Sequence, residues 1–333
     1  MPDRPANLLI PPSLDDYISF TPEFGRRTLL TVDTEEEFDW DGDFDAFSYG
    51  LESVPKLQRF QQFAEGLGVV PLYLVDWPLA RSEVAREVLG PAVAAGRAEI
   101  GIQLHPWVNP PHLERTDERN SFAGNLPSAL EREKFERLRD AIEIGFAVSP
   151  VIYRAGRYGL GANTAQLLEE SAIAIDTSIR AFYDYSDLGG PDYSRHPHRP
   201  YRVSDRLVEL PLTSVFTGRM RKLGPSLYPS CRRFPLMCSA LAKTGLLERI
   251  SLTPEGIDTQ AARRAVDQGV ADGLPLFVLS FHSPSLAPGH TPYVRSKEDV
   301  DALYDWFRAV YARFADHGIK PTTTTEILAH IEN

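Results

Sequence analysis

Five short apolar runs each end in a residue able to bind a metal, move a proton or hold an anion: Asp33, His105, Arg154, Asp176 and His282. A polar side chain placed at the end of a buried strand is costly without a partner, so these positions point to chemistry. Asp33 and Glu35 are separated by one residue, which in an extended chain puts both carboxylates on the same side. One of the pair could then hold a metal while the other takes a proton. Gln103 and His105 repeat that spacing and offer an amide oxygen and an imidazole nitrogen. The Pro106-Trp107 pair beside them stiffens the loop and supplies an apolar wall. The Arg154 guanidinium needs a carboxylate, for which Asp33 is the evident candidate, and Asp176 could pair with His282. For Glu36, Glu37, Asp39, Asp41, Asp43 and Asp45 the plain alternative is a solvated acidic loop.

Repeating secondary structure would have to carry these groups. Positions 29–32 read as a buried strand, followed by a helix with Leu57, Phe60, Phe63 and Leu67 on one face, Ser53 as its cap and Gly66 or Gly68 as its stop. Strands follow at 69–75, 98–102, 151–153, 173–175, 207–212 and 276–281, with helices between them. Ser128 and Glu131 have capping-box spacing, and Asn163, Asp258 and Ser296 are further cap candidates. A short helix is expected around 236–246, and one more strand and a turn of helix in 319–328. The alternation predicts an α/β fold, a distorted parallel (β/α) barrel of about seven strands, as one domain over 1–333. A segment at about 214–255 is expected as an insertion over the barrel mouth.

Composition narrows the function. A net charge of -11 argues against a nucleic-acid partner or an anionic membrane surface and favours a neutral or cationic small molecule. Cys231 and Cys238 are too few, and wrongly spaced, for a disulfide framework or a zinc knuckle. The absence of a signal-like start or an apolar run of membrane-spanning length gives the expectation of a cytoplasmic protein. Oligomeric state cannot be read from the sequence.

TVDTEEEFDW, EIGIQLHPW, YRAGRYG, AIDTS and LSFHS, in that order, resemble the five motifs of the polysaccharide deacetylases, carbohydrate esterase family four with its NodB homology domain. The resemblance runs from about Arg26 to Ile327. It implies hydrolysis of an N-acetyl amide on an amino sugar or glycan, assisted by a divalent metal, usually zinc. On this resemblance Asp33 is the catalytic base, Arg154 positions it, His282 protonates the leaving amine and Asp176 tunes His282. Two motifs depart from the family. Thr34 and then Glu35 follow the base where a second Asp is usual, and Gln103 and Trp107 stand where two His are usual, with His105 between them. The favoured ligand set is therefore Glu35, His105 and Gln103. Trp107, Arg157 and Tyr158 are expected against the substrate, with backbone N–H groups near Arg157 and Tyr158 facing the oxyanion. Allantoinase-like opening of another C–N bond, or a degenerate member that binds glycan without cleaving it, are the alternative readings.

Overall fold

The computed structural model describes residues 6–332 apart from Asp41, Asp43 and Arg233, together with the side chains of all of these but 230–232 and Pro235. The expectations for Asp41, Asp43 and the Cys231 side chain lie outside what is described. The chain begins its repeat with β1 (Arg27–Thr34), which is buried except at its first residue. Then come α1 (Lys56–Gly66), β2 (Leu72–Val75), α2 (Trp77–Arg81), α3 (Glu83–Ala94), β3 (Glu99–Leu104), α4 (Ser128–Phe146), β4 (Ile152–Ala155), α5 (Thr164–Glu170) and β5 (Ile175–Asp176). The short β6 (Tyr201–Arg202) and β7 (Val208–Glu209) precede β8 (Ser214–Thr217), α6 (Gly224–Arg232), α7 (Pro235–Lys243) and β9 (Glu248–Ser251). The chain closes with α8 (Thr259–Ala271), β10 (Leu276–His282), α9 (Lys297–Asp316), β11 (Lys320–Pro321) and α10 (Thr324–His330).

The main sheet runs β10-β1-β2-β3-β4-β5-β7-β6, with β11 also on β1, and every pairing is parallel except β6 with β7. This is the expected parallel β/α architecture, curled into a half-barrel. Irregular backbone spans its open side: Leu212 N–H donates to Ile179, Thr213 N–H to Val278, and Ser280 N–H to Leu252. Alternation along the strands sorts the two faces. Leu30, Val32, Tyr73, Val75, Ile102, Tyr153, Phe277, Leu279 and Phe281 join the large core beneath the helices. Leu29, Leu72, Leu74, Ile152, Ile175, Val208, Leu276 and Val278 form a second, interior core. The interior side of β1 thus passes from Leu29 through Thr31 to Asp33, an apolar floor under a polar mouth.

Several local expectations change. Ser53 does not cap α1; Pro55 holds that position, and the Ser53 N–H is taken by Glu37. Ser128 is already inside α4 with no side-chain cap, and Glu131 is buried as the acceptor of the Thr164 hydroxyl at 2.6 Å. Asn163 stands at the α5 cap position without a side-chain bond, whereas Asp258 and Ser296 do cap α8 and α9. The strand expected over 207–212 forms only at Val208–Glu209, with an isolated parallel bridge from Leu212 to Arg180 beyond it. In the segment expected as an insertion, β8 and β9 form an antiparallel hairpin with α6 and α7 between its arms. Apolar runs there are too short to announce strands without their partner.

Candidate active site

β1 and β10 lie in register with Asp33 opposite His282, so the pleat delivers both side chains to the interior mouth. β3 and β4 are paired with Gln103 opposite Arg154, which brings those two to the same place. Asp33 Oδ1 accepts from the Arg154 guanidinium, and both side chains are almost fully buried. The rest of the Arg154 fork donates to Thr177 O at 2.9 Å, Thr31 Oγ1 at 3.0 Å and Thr177 Oγ1 at 3.3 Å. A guanidinium so completely occupied orients one carboxylate oxygen and leaves the other, Oδ2, facing His282 Nε2 at 3.7 Å. The expected Arg154–Asp33 pair is present.

The partner of His282 is a different residue from the one expected. Glu255 accepts from its Nδ1–H at 2.7 Å and from its backbone N–H at 3.1 Å, and also holds Ser285 Oγ at 2.6 Å. Burial opposes charge on this imidazole, but Glu255, Glu35 and Asp33 outweigh it and raise its pKa to about 10. Asp176 does not take this part. Ile175 points into the interior core, so the next residue faces away from it, beside Tyr153 and directly opposite Glu209. There it accepts from Ser178 N–H at 3.0 Å and Ser178 Oγ at 2.8 Å. Burial and the neighbouring Asp176 carboxylate push Glu209 well above the usual carboxylate range.

Around His105 the acidic residues assigned to a solvated loop turn inward: Glu36 is fully buried, Glu37 nearly so, while Asp39 and Asp45 are exposed. Glu36 Oε2 accepts from His105 Nδ1–H at 2.9 Å, and its Oε1 from the Trp107 indole at 2.8 Å. Asp76, the cap of α2, accepts from Leu79 N–H at 2.9 Å and Glu36 N–H at 2.8 Å. Burial and Glu36 hold Asp76 well above its ordinary pKa, as in a pair of carboxyls sharing one proton. Glu36, Asp76 and His105 lie close enough to chelate an ion. Their oxygens are, however, already taken by protein donors, which is the arrangement of a shell that orients a ligand.

The open valences are on the other side of the ring. His105 Nε2 is 3.5 Å from Glu35 Oε2, which Gln103 Nε2 approaches at 3.3 Å. Glu35 Oε1 and Gln103 Oε1 are both buried with no hydrogen-bond partner. Burial raises Glu35 to about 8; His282 and His105 oppose the rise, and Asp33 and Glu36 reinforce it. Two orphaned acceptors beside an imidazole lone pair suit a divalent cation, and they are the three residues favoured from the sequence. Gly156 lets the ring in: a Cβ there would stand 2.4 Å from His105 Cδ2.

The three expected substrate residues are placed unequally. Trp107 is buried and stacked on His105 with ring centres 4.3 Å apart, so it does not present a surface to substrate as expected. Arg157 lies between the rings of Phe122 and Phe44, at 4.5 and 4.8 Å, and lines an open groove of ≈ 810 Å³ that also borders Trp40. Tyr158 lines a small cavity beside His282; it and Arg157 both adopt left-handed backbone, φ 62° and 53°. Trp40, not singled out from the sequence, meets His282 edge-on at 5.0 Å. Glu36, Asp76 and Glu255 were also missed. The Asp-Trp-Pro start of α2 is a legible capping signal for Asp76, whereas nothing local marks Glu255.

No family model and no curated protein matches the sequence. Among solved structures, a Mycobacterium smegmatis protein provisionally named a polysaccharide deacetylase superposes with a TM-score of 0.54 at 18% identity, over 97% of this chain and 94% of its own. A peptidoglycan deacetylase from Bacillus subtilis gives 0.41 at 10% identity over 92% and 91% of the two chains. The 4-alpha-glucanotransferase of Thermococcus litoralis gives 0.48 at 10% identity, over 92% of this chain and 40% of that one. No helix among the described residues is long and apolar enough to cross a membrane. With the first of these likenesses spanning both chains almost end to end, the curled half-barrel described above is the polysaccharide-deacetylase fold of NodB type.

Proposed function

We propose that this chain is a hydrolase that opens the amide C–N bond of an N-acylated amino sugar or small glycan. The observation that carries the reading is the pairing of Asp33 with Arg154 on one side of the mouth and of His282 with Glu255 on the other, 3.7 Å apart at their facing atoms. A carboxylate with one oxygen clamped and one free is suited to accept a proton from an attacking water. An imidazolium backed by a carboxylate on Nδ1 presents Nε2–H, which can protonate the departing nitrogen. The two dyads thus divide base and acid work between neighbouring strands.

A divalent cation fits Glu35, His105 Nε2 and Gln103 and, when bound, would polarise the carbonyl and the water. Zinc favours nitrogen and carboxylate ligands, and an amide oxygen in the set weakens that preference, so other divalent ions compete. Glu36 and Asp76 hold His105 in the tautomer that leaves Nε2 free. Trp40 stands between open grooves of ≈ 590 and ≈ 810 Å³, space for a sugar chain passing the mouth.

Metal analysis of the purified protein, together with acid release from a panel of N-acylated sugars, tests the reading. The expected result is metal-dependent release. Bound glycan with no release under any metal would replace it with a binding protein.

A further inference from the structure

Beyond the two dyads, the cavity at His282 contains a cation that the proposed hydrolysis does not use. Arg180 follows Ile179 where the chain leaves β5, and a bridge to Leu212 aims it at the space between β10 and the hairpin. Its guanidinium carbon lies 4.0 Å from the centre of the Tyr183 ring and 5.8 Å from that of Tyr158. Among the described residues no carboxylate forms an ion pair with it. The acid sharing the cavity, Glu255, is already engaged by His282 and Ser285.

A second guanidinium, Arg249, covers the other side of Tyr183 at 3.4 Å and donates to Phe182 O at 2.6 Å; among the described residues it too forms no ion pair with a carboxylate. The phenol oxygen of Tyr185 is buried beside Arg180 and is the polar side-chain group it meets. In a chain of net charge -11, a guanidinium that lines a small cavity with no carboxylate paired to it among the described residues, and with a second guanidinium across Tyr183, marks a local site of positive charge. The cavity measures ≈ 40 Å³, too small for a sugar ring but sufficient for a carboxylate or phosphate group.

We propose that Arg180 binds an anionic substituent of the substrate, a carboxylate or a phosphate, in the cavity beside His282. This rests on the hydrolase reading for the word substrate, but not for the binding of the anion. A fork of N–H donors stacked on aromatic rings is preorganised for such a group. Two sources share that chemistry: an acidic group on the sugar, or an acidic end on the acyl chain.

The test uses the whole chain. Inorganic phosphate and succinate are titrated into wild type, Arg180→Gln and Arg180→Lys by calorimetry and thermal shift, against potassium chloride of equal ionic strength. Both anions should bind wild type, lose about 10- to 100-fold in affinity in Arg180→Gln, and recover in part in Arg180→Lys. Rates are then compared for N-acetylglucosamine, its 6-carboxylate analogue and N-succinylglucosamine. Whichever acidic substrate loses its advantage in Arg180→Gln identifies the source. Anion binding no stronger than chloride, or equal in wild type and Arg180→Gln, overturns the proposal even if neutral amides are hydrolysed. Arg180-dependent anion binding without hydrolysis of any amide would leave it standing and remove the hydrolase reading. If Arg180→Gln does not fold, inhibition of wild type by phosphate beyond the chloride control decides.

Discussion

Asp33 and Asp176 are both fully buried carboxylates near the C-terminal end of a parallel strand, yet their surroundings are opposite. Asp33 faces the barrel interior and meets Arg154 and His282. Asp176 faces the outer layer and meets another acid, Glu209. Burial raises the Asp176 pKa, and burial together with Asp176 pushes Glu209 well above the usual carboxylate range, so this acid pair is arranged to share a proton, whereas Asp33 faces two cationic side chains. Strand-end position alone does not set a carboxylate's surroundings. The face of the pleat and the charge across it decide.

The largest contrast should appear in rate. Asp33→Asn and His282→Ala should each lower kcat by about 10²- to 10⁴-fold with metal content unchanged, while Asp176→Asn keeps most of the activity. Steady-state kinetics with metal analysis checks this, and an equal loss in Asp176→Asn would erase the distinction. Next is stability. Arg154→Met leaves Asp33 buried without its cation and should cost about 3–5 kcal/mol in urea unfolding. Replacing Glu209 by Gln should instead be tolerated, because Asp176 keeps its Ser178 donors.

A third carboxylate, Glu131, sharpens the point away from the mouth. Burial raises it from 4.5 to about 7, partly offset by Thr164 and Arg132. Its folded pKa lies above its unfolded one, so its contribution is complete below about pH 4.5 and is lost as pH rises through about 7. Glu131→Gln should therefore gain on wild type between pH 5 and 8, by roughly 3 kcal/mol at most. Unfolding curves across that range will show a pH-independent difference if the carboxyl is not strained. The smallest effect concerns the ligand shell. Gly156→Ala forces the His105 ring away and should cost about 1–3 kcal/mol, with metal affinity falling alongside. Unchanged metal affinity would mean that His105 is not a ligand.

The strand and helix alternation of the parallel sheet, the capping of α8 and α9, and the buried runs before Asp33, Arg154 and His282 were legible in the sequence, because apolar periodicity and cap chemistry are local. So was the Arg154–Asp33 pair, since a guanidinium at a buried strand end has few places to go. Other features were decided only by the tertiary structure. Which way Asp176 faces depends on Ile175 filling the interior core. Glu36 is buried because Trp107 and His105, some seventy residues on, supply its donors. Glu255 reaches His282 because the backbone around Leu252 hydrogen-bonds across the open side of the barrel to β10. Each of these is a contact between segments distant in the chain, and a side chain's charge state follows from the partner that folding brings to it.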